Sequence, residues 1–352
     1  MKRSSFFAGQ SHHSRSRRLR LAALALGIGI GTLVAADPAL AQTTWAFPTS
    51  GTWSDSTKWS TNVVPDNVAE NVLIDQTGTY TVTLDDSRSI NNLTLNAADA
   101  TLSHTSGVLS LNGAISVTAG RYELSNGTIS GGAIVGSELA YLGGILDGVA
   151  VTGGMTLSEP SGYLSLAGGT TIAGDIAVNN NSELHLEQAY TFSNQTVTVG
   201  EAGGASSGTL YVATSGGMNV DNTATVNLKS GNLYLQGALV NNGTILADEA
   251  ASASIYDSGG GTITNTGTVT STNGANLSIN SANTTNTGTM SATVGSTLDL
   301  GGTWSNVGGT LAVDDTSTLN LGGSFNTADL GTINLTPGGT INITGSQNNT
   351  GS

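Results

Sequence analysis

One pattern recurs through the last quarter of the chain at a nearly fixed interval. Pairs of aliphatic residues separated by one polar residue begin at Leu277, Leu298, Leu319 and Ile341, so they step by 21, 21 and 22 residues. A fixed period in this range is typical of a solenoid, in which each repeat packs only on its neighbours. The period therefore constrains the architecture more strongly than any other feature of the sequence.

The content of one repeat favours strands. Leu-x-Leu has the two-residue period of a strand, and Gly-Gly or Asn-x-Gly separates the short Thr-, Val- and Ile-rich runs as turns. A repeat of this length is too short for a propeller blade and lacks the leucine-rich-repeat pattern. The sequence therefore predicts an all-β fold, a single-stranded parallel β-helix with about 21 residues per turn and neighbouring strands about 4.8 Å apart.

Residues 1–41 have the features of a cleaved signal peptide. Basic residues occur within 2–20, an apolar run spans 21–36, and Ala39-Leu-Ala41 supplies a small-x-small cleavage site. The alternative is a membrane anchor, but the apolar run is short for a span and Asp37-Pro38 interrupts it. We expect export across the inner membrane of a Gram-negative cell, to the medium or the cell surface.

The charge of the chain restricts the kinds of partner it can bind, and its cysteine content decides whether it can form disulfides. The chain has 10 basic and 24 acidic residues and a formal net charge of −14. Outside 1–41 only four basic residues stand against 23 acidic ones. Such a surface repels nucleic acid and anionic membranes, so we expect neither as a partner. The chain has no cysteine, which excludes disulfides.

Residues 42–75 form a tryptophan-rich N-terminal cap ahead of the β-helix at 76–352. Trp45, Trp53 and Trp59 lie close together in the sequence, and Val64-Pro65 follows them. These rings would either cover the open first turn of the β-helix or stack on sugars. We expect the first role.

This segment resembles the start of many secreted bacterial β-helix proteins, in which G-x-W-S-x-x-x-x-W-S precedes V-P and a V-x-I strand. Here the motif is Gly51-Thr-Trp53-Ser-Asp-Ser-Thr-Lys-Trp59-Ser, and Val72-Leu-Ile74 follows. The family comprises autotransporter passenger regions and autotransporter-associated β-strand repeat proteins, together with some exported proteins that carry C-terminal sorting signals. The resemblance implies a secreted or surface-displayed β-helix, and it leaves the mode of attachment open.

Two columns of stacked residues can be predicted from the repeat. The first is an asparagine ladder, a stack of amides that hydrogen-bond along the axis at one corner. Its expected members are Asn242, Asn265, Asn286 and Asn306.

The second column is the outward residue between paired aliphatics. Its expected members are Ser165, His185, Tyr211, Tyr234, Ser278, Asp299, Asn320 and Asn342. We predict that His185, Tyr211 and Tyr234, with Glu183 and Glu187 beside them, form a ligand-binding surface. The alternative is that β-propensity alone favours tyrosine on an exposed strand.

The sequence gives little support for catalysis. Glycoside hydrolysis needs two carboxylates on one face, whereas Asp85-Asp86 and Asp314-Asp315 are adjacent residues that point to opposite faces of a strand. His104 and His185 are the only histidines outside 1–41, and neither has a metal-ligand spacing. We therefore predict no enzymatic activity, no cofactor and no metal site.

These observations predict a structural or adhesive module displayed on the cell surface or secreted. A glycan-binding β-helix is the first alternative, and a polysaccharide lyase or hydrolase is the second. Expected partners are a surface or matrix polysaccharide or another cell surface, with no direct membrane span. Because the repeat is undiminished at Ile341-Asn-Ile343, we also expect either continuation or self-association at the last turn.

Overall fold

A computed structural model describes residues 41–136 and 139–349. The chain divides into two units, Met1–Ala39 and Leu40–Ser352, and the described residues lie in the second. The predicted signal peptide, apart from Ala41, lies outside the described residues.

The described residues form 37 strands and three short 3₁₀ helices. The first strands are β1 (Ala41–Thr44), β2 (Gly51–Thr52), β3 (Asn67–Ile74), β4 (Tyr80–Leu84), β5 (Arg88–His104), β6 (Val108–Leu111), β7 (Ala114–Leu124), β8 (Thr128–Ser130), β9 (Ala133–Ile134), β10 (Ala140–Tyr141), β11 (Ile145–Asp147), β12 (Ala150–Val151) and β13 (Met155–Leu157). The middle strands are β14 (Tyr163–Ala167), β15 (Thr171–Ile172), β16 (Ile176–Val178), β17 (Ser182–Leu186), β18 (Ala189–Phe192), β19 (Thr196–Val199), β20 (Gly208–Val212), β21 (Gly217–Val220), β22 (Thr225–Leu228), β23 (Asn232–Leu235), β24 (Ala238–Asn241) and β25 (Thr244–Ala247). The last strands are β26 (Ser252–Asp257), β27 (Thr262–Asn265), β28 (Thr268–Ser271), β29 (Asn276–Asn286), β30 (Thr289–Ala292), β31 (Thr297–Ser305), β32 (Thr310–Val313), β33 (Thr318–Leu321), β34 (Ser324–Asn326), β35 (Thr332–Leu335), β36 (Thr340–Ile343) and β37 (Ser346–Asn348). The 3₁₀ helices are Ser56–Lys58, Ala202–Gly204 and Thr327–Leu330.

These strands build a parallel β-solenoid of about 13 turns with roughly 21 residues per turn, which confirms the predicted fold. From β13 onward, strands of successive turns pair in parallel along three stacks. One stack contains β14, β17, β20, β23 and β26, and a second contains β18, β21, β24 and β27. The third is a separate sheet of nine strands, β13, β16, β19, β22, β25, β28, β30, β32 and β35.

The core lies inside the coil, where every second residue of a strand points inward. The pattern is clear in β31 and β33, where Leu298 and Leu300 pair with Leu319 and Leu321, and all four are buried. Asp299 between the first two is half-exposed. The predicted strand register is therefore confirmed for these turns.

The tryptophan-rich segment packs into the first turns as a cap. Trp45, Trp53 and Trp59 are fully buried, and the ring of Trp59 lies 4.9 Å from that of Trp45 and 4.8 Å from that of Trp53. The Trp53 indole N–H donates to the Pro65 carbonyl (3.1 Å), and that of Trp59 donates to the Trp53 carbonyl (2.7 Å). Because no ring face is open to solvent, sugar stacking by these tryptophans is excluded.

The asparagine ladder exists, with one correction to its membership. The stacked, buried amides belong to Asn241, Asn265, Asn286 and Asn306. Asn241 donates to Asn265 and Asn265 donates to Asn286 (2.6 Å each), and Asn286 donates to Asn306. The predicted member Asn242 is wrong, because alternation from the inward Leu239 turns Asn241 into the core and leaves Asn242 exposed in the turn.

The last described turn differs from those before it. Ile343 and Leu335, which would point into the core of an interior turn, are 59% and 48% exposed. Ile341 is only partly buried against the core. Ile343 stacks in register on Leu321, but it is exposed because none of the described residues forms a turn over it. Whether continuation or self-association covers this turn stays a prediction.

Candidate functional site

Parallel pairing brings three predicted site residues into one outward column. His185 on β17 pairs with Tyr211 on β20, and Tyr211 pairs with Tyr234 on β23. The column then continues to Tyr256 on β26. At the other end Tyr163 on β14 leans diagonally toward His185, with a ring distance of 5.9 Å. We call these five residues the aromatic column.

The strand repeat stacks the inner rings of the aromatic column on one another. The ring centroids of His185 and Tyr211 are 4.5 Å apart with an interplanar angle of 21°, and those of Tyr211 and Tyr234 are 5.1 Å apart at 20°. Tyr234 meets Tyr256 edge-on, at 4.9 Å and 69°. Because stacked rings cover each other's faces, the middle of the column presents ring edges and hydroxyl groups to solvent.

Two glutamates hold the histidine of the aromatic column. His185 Nε2 lies 2.8 Å from Glu183 Oε2, and His185 Nδ1 lies 3.8 Å from Glu187 Oε1. Glu187 also accepts a hydrogen bond from the Ser165 hydroxyl (3.2 Å). Partial burial, and to a smaller extent Tyr234, Glu187 and Glu183, raise the pKa of Tyr211.

A shallow depression of about 500 Å³ opens beside Tyr163. Its lining also includes Ser161, Asn181, Glu183 and His185, which are groups that can hydrogen-bond a polar ligand. Tyr163 is 40% exposed, so part of its ring is accessible there. This is the part of the aromatic column that best combines an accessible ring with polar partners.

The predicted outward column combined residues from two different columns. Ser278, Asp299, Asn320 and Asn342 do stack in register, but their column leads back through Ser254 to Asn232. Ser165 does pair with His185, yet it is only 7% exposed. Ser165 therefore faces outward as predicted, with its hydroxyl on Glu187, but its side chain is covered and not exposed.

Tyr163 and Tyr256 were not identified from the sequence. For Tyr256 the reason is visible in the strand register. In β26 the residue opposite Leu235 is Asp257, and the inward aliphatic pair moves back to Ala253 and Ile255. The residue between these aliphatics is then Ser254, and Tyr256 falls outside the Leu-x-Leu pattern. Alignment of Ile255 with Leu233 would have identified Tyr256 as the neighbour of Tyr234.

Other kinds of site have little support in the part of the chain that the structure describes. Residues 41–136 and 139–349 contain no group of three or more His, Cys, Asp or Glu residues able to hold a metal ion. The same residues contain no helix of the length and hydropathy needed to cross a bilayer. The absence of enzymatic activity stays a prediction.

Comparison with known proteins gives no relative. No protein family, curated protein or solved structure matches this chain. The resemblance to autotransporter passenger proteins therefore stays an expectation drawn from the tryptophan motif and the repeat.

Proposed function

We propose that the chain is a secreted or surface-displayed adhesive module and that the aromatic column is its contact surface. The observation that carries this proposal is the continuous outward stack from His185 through Tyr211 and Tyr234 to Tyr256. A solenoid suits this role because its strand pairing holds each contact residue at a fixed distance from the next.

The chemistry of the aromatic column supports contact with a hydrated surface. Tyrosine contributes large, rigid contact area at low entropic cost, and its hydroxyl can hydrogen-bond a polar partner. Glu183 and Glu187 place negative charge beside the rings, so the partner should be neutral or basic. An acidic polysaccharide would be repelled here.

Glycan binding at the depression is the second candidate function. The observation that favours it is the exposed ring of Tyr163 beside the carboxylate of Glu183 and the amide of Asn181. A sugar ring could stack on the tyrosine while its hydroxyls bond to the two polar side chains.

The experiment compares adhesion of the wild type with that of the Tyr211→Ser/Tyr234→Ser variant on cells, abiotic surfaces and a glycan array. Thr209→Ser/Asn232→Ser is the matched control, because these residues face outward from the same two strands. We expect the tyrosine variant to lose adhesion with an unchanged circular dichroism spectrum, and the control to bind like the wild type. Equal binding by all three proteins would contradict the adhesive role of the column.

A third variant separates the two candidate functions. Tyr163→Ser leaves the stack of His185, Tyr211 and Tyr234 in place and removes only the accessible ring of the depression. Glycan binding at the depression predicts that this variant alone loses signal on the array. Adhesion through the column predicts that it keeps most of the wild-type binding.

A further inference from the structure

A second outward column, on seven strands of the nine-stranded sheet, consists of threonine. In the described residues its members pair in register from each strand to the next, and none of these pairings contains a bulge. The members are Thr196, Thr225, Thr244, Thr268, Thr289, Thr310 and Thr332. We call these seven residues the threonine column.

The threonine column presents the same two groups at each step. Each member precedes a buried or inward aliphatic residue, such as Val269 after Thr268, so alternation points the threonine outward. Neighbouring strands lie about 4.8 Å apart, so a methyl group and a hydroxyl group recur at that spacing over seven turns. Threonine has few side-chain rotamers, which keeps the array regular.

The hydroxyl groups of the threonine column have no partner among the described residues. None of the seven hydroxyls forms a hydrogen bond there, whereas the nearby hydroxyls of Thr266 and Thr287 bond to the backbone carbonyls of Asn241 and Asn265 (3.4 Å each). The threonine-column hydroxyls are therefore available to an external acceptor or donor.

The buried asparagine ladder fixes the backbone behind the threonine column. Asn241 Nδ2 donates to the carbonyl of Thr268 (3.0 Å) and Asn265 Nδ2 to that of Thr289 (3.2 Å). Weaker contacts of the same kind join Asn286 to Thr310 and Asn306 to Thr332. Each amide thus ties its own turn to the start of a threonine strand, which keeps the spacing constant.

The surroundings of the threonine column restrict its ligand. The seven strands that carry it, β19, β22, β25, β28, β30, β32 and β35, contain no charged residue and no aromatic residue. Carboxylates lie at the margins of this surface, where Asp175 accepts from the Thr196 amide (2.8 Å) and Asp248 accepts from the Asn227 side chain (3.1 Å). A polyelectrolyte or a mineral would need charge, and a sugar chain would favour aromatic rings. An uncharged array of hydroxyls and methyls suits ordered water, because hydroxyls join the water network while methyls order the water beside them.

We propose that the threonine column binds the surface of ice. The regular spacing lets water bound along the column form a lattice that merges with the crystal. The row two residues further along the strands is mixed, so the threonine column alone carries the proposal. Its members are Thr198, Asn227, Leu246, Thr270, Ser291, Ala312 and Asn334. The ice-binding surface is separate from the aromatic column, so it adds a function to the proposed adhesion.

The test measures how much fluorescently labelled full-length protein enters a slowly growing ice hemisphere, together with the shape of single ice crystals. Thr268→Tyr places a bulky ring in the centre of the column, and Thr289→Lys is a second variant in case the first is unstable. Thr264→Tyr is the matched control, because Thr264 faces outward from β27 in a different stack. Circular dichroism and the melting temperature report the fold of each protein.

We expect the wild type and Thr264→Tyr to enter the ice and to shape crystals, and both column variants to lose both effects. Exclusion of the wild type from ice would overturn the proposal. Wild-type behaviour of a folded Thr268→Tyr or Thr289→Lys variant would also overturn it. Binding to powdered crystalline polysaccharide without entry into ice would reject ice as the ligand of this surface.

Discussion

The two ends of the described solenoid are built from the same kind of turn and have opposite surroundings. At the first turns three tryptophans are fully buried, and all three indole N–H groups donate to backbone carbonyls inside the cap. At the last turn Ile333, Leu335 and Ile343 are exposed. The repeat pattern alone therefore does not determine whether an aliphatic residue is buried, because burial requires a neighbour on each side of the turn.

The asparagine ladder ends where the covered turns give way to the exposed last turn. Asn306, its last member, donates to the carbonyl of Leu330 (2.7 Å), just before the exposed turn begins. The turns that contain the ladder are thus held by buried stacked amides and by a covered core, whereas residues 331–349 add no buried amide to the ladder and leave their aliphatic side chains largely exposed. The following predictions test this contrast, from the largest expected effect to the smallest.

The largest effect on the free energy of unfolding should come from a charge placed in one aliphatic column, at a buried position and at an exposed one. Leu300, Leu321 and Ile343 are successive members of that column, but Leu300 is 4% exposed and Ile343 is 59% exposed. Leu300→Asp buries an unpaired carboxylate and should cost more than about 4 kcal/mol. Ile343→Asp should cost less than about 1 kcal/mol, because its side chain stays hydrated. Equal losses in chemical denaturation would contradict the contrast between the two turns.

Removal of the N-terminal cap should be almost as costly. Trp59→Ala leaves a large cavity beside Trp45 and Trp53 and should lower the free energy of unfolding by about 3–5 kcal/mol. Phe47→Ala, in the same segment, should change it by less than about 0.5 kcal/mol because Phe47 is 55% exposed. A silent Trp59→Ala would show that the first turns need no cap.

Acid should destabilise the first turns at a higher pH than the last ones. His104 is buried with its Nδ1 against the Tyr122 hydroxyl (3.0 Å), and burial lowers its pKa to about 4 from an ordinary 6.5. The unfolded chain therefore binds the additional proton between these values, so stability falls by roughly 3 kcal/mol as pH falls from 6.5 to 4.

The control for this prediction compares two variants by how steeply their free energy of unfolding changes with pH. His104→Gln should flatten the decline of unfolding free energy between pH 6.5 and 4, whereas Tyr122→Phe should keep most of it because burial of the imidazole is the main cause. Near the other end, Asp314 has its pKa lowered to about 2, chiefly by the Ser317 hydroxyl. Its stabilisation is present above pH 3.8 and is lost as pH falls through 2. If His104→Gln keeps the wild-type decline between pH 6.5 and 4, His104 is not the cause of that decline.

A smaller loss should follow removal of one amide from the asparagine ladder. Asn265→Ala deprives Asn241 and Asn286 of a partner inside the core and should cost about 2 kcal/mol. Asn242→Ala, at the exposed neighbour of Asn241, should cost about 0.5 kcal/mol or less. Thermal unfolding of both variants also tests which residue belongs to the ladder.

The smallest effect should be a gain. Val294 is a β-branched residue with φ of 55°, in the left-handed region, and the equivalent Asn273 one turn earlier has the same φ. Val294→Asn should therefore raise the free energy of unfolding by about 1 kcal/mol, because asparagine adopts this conformation at lower cost. A loss of stability would show that the valine side chain has an unrecognised contact.

The sequence predicts the properties that depend on a single repeat. The period of 21 residues and the alternation in Leu298-Asp-Leu300 predict the solenoid and its inward columns, because a strand has only two faces. The tryptophan spacing predicts the cap. Position in the column was harder to predict, as the choice between Asn241 and Asn242 demonstrates. Two adjacent asparagines look alike until the strand is counted from Leu239.

The candidate site was only partly predictable for a related reason. His185, Tyr211 and Tyr234 each lie between two aliphatic residues, which identifies them as outward neighbours. Tyr256 does not, because its strand replaces one aliphatic residue with Asp257 and keeps the register through backbone pairing. The undiminished repeat indicates an apolar face at Ile343, but the sequence does not show what covers that face.

Hydrogen exchange along the full chain tests the contrast between the two ends most directly. The amides of β31 and β33, at Leu298–Leu300 and Leu319–Leu321, should be among the slowest to exchange, and those of residues 331–349 should exchange within the earliest time points. Peptides from the tryptophan cap should resemble the interior turns. Slow exchange across 331–349, equal to that of β33, would show that the last described turn is covered in solution and would contradict this account.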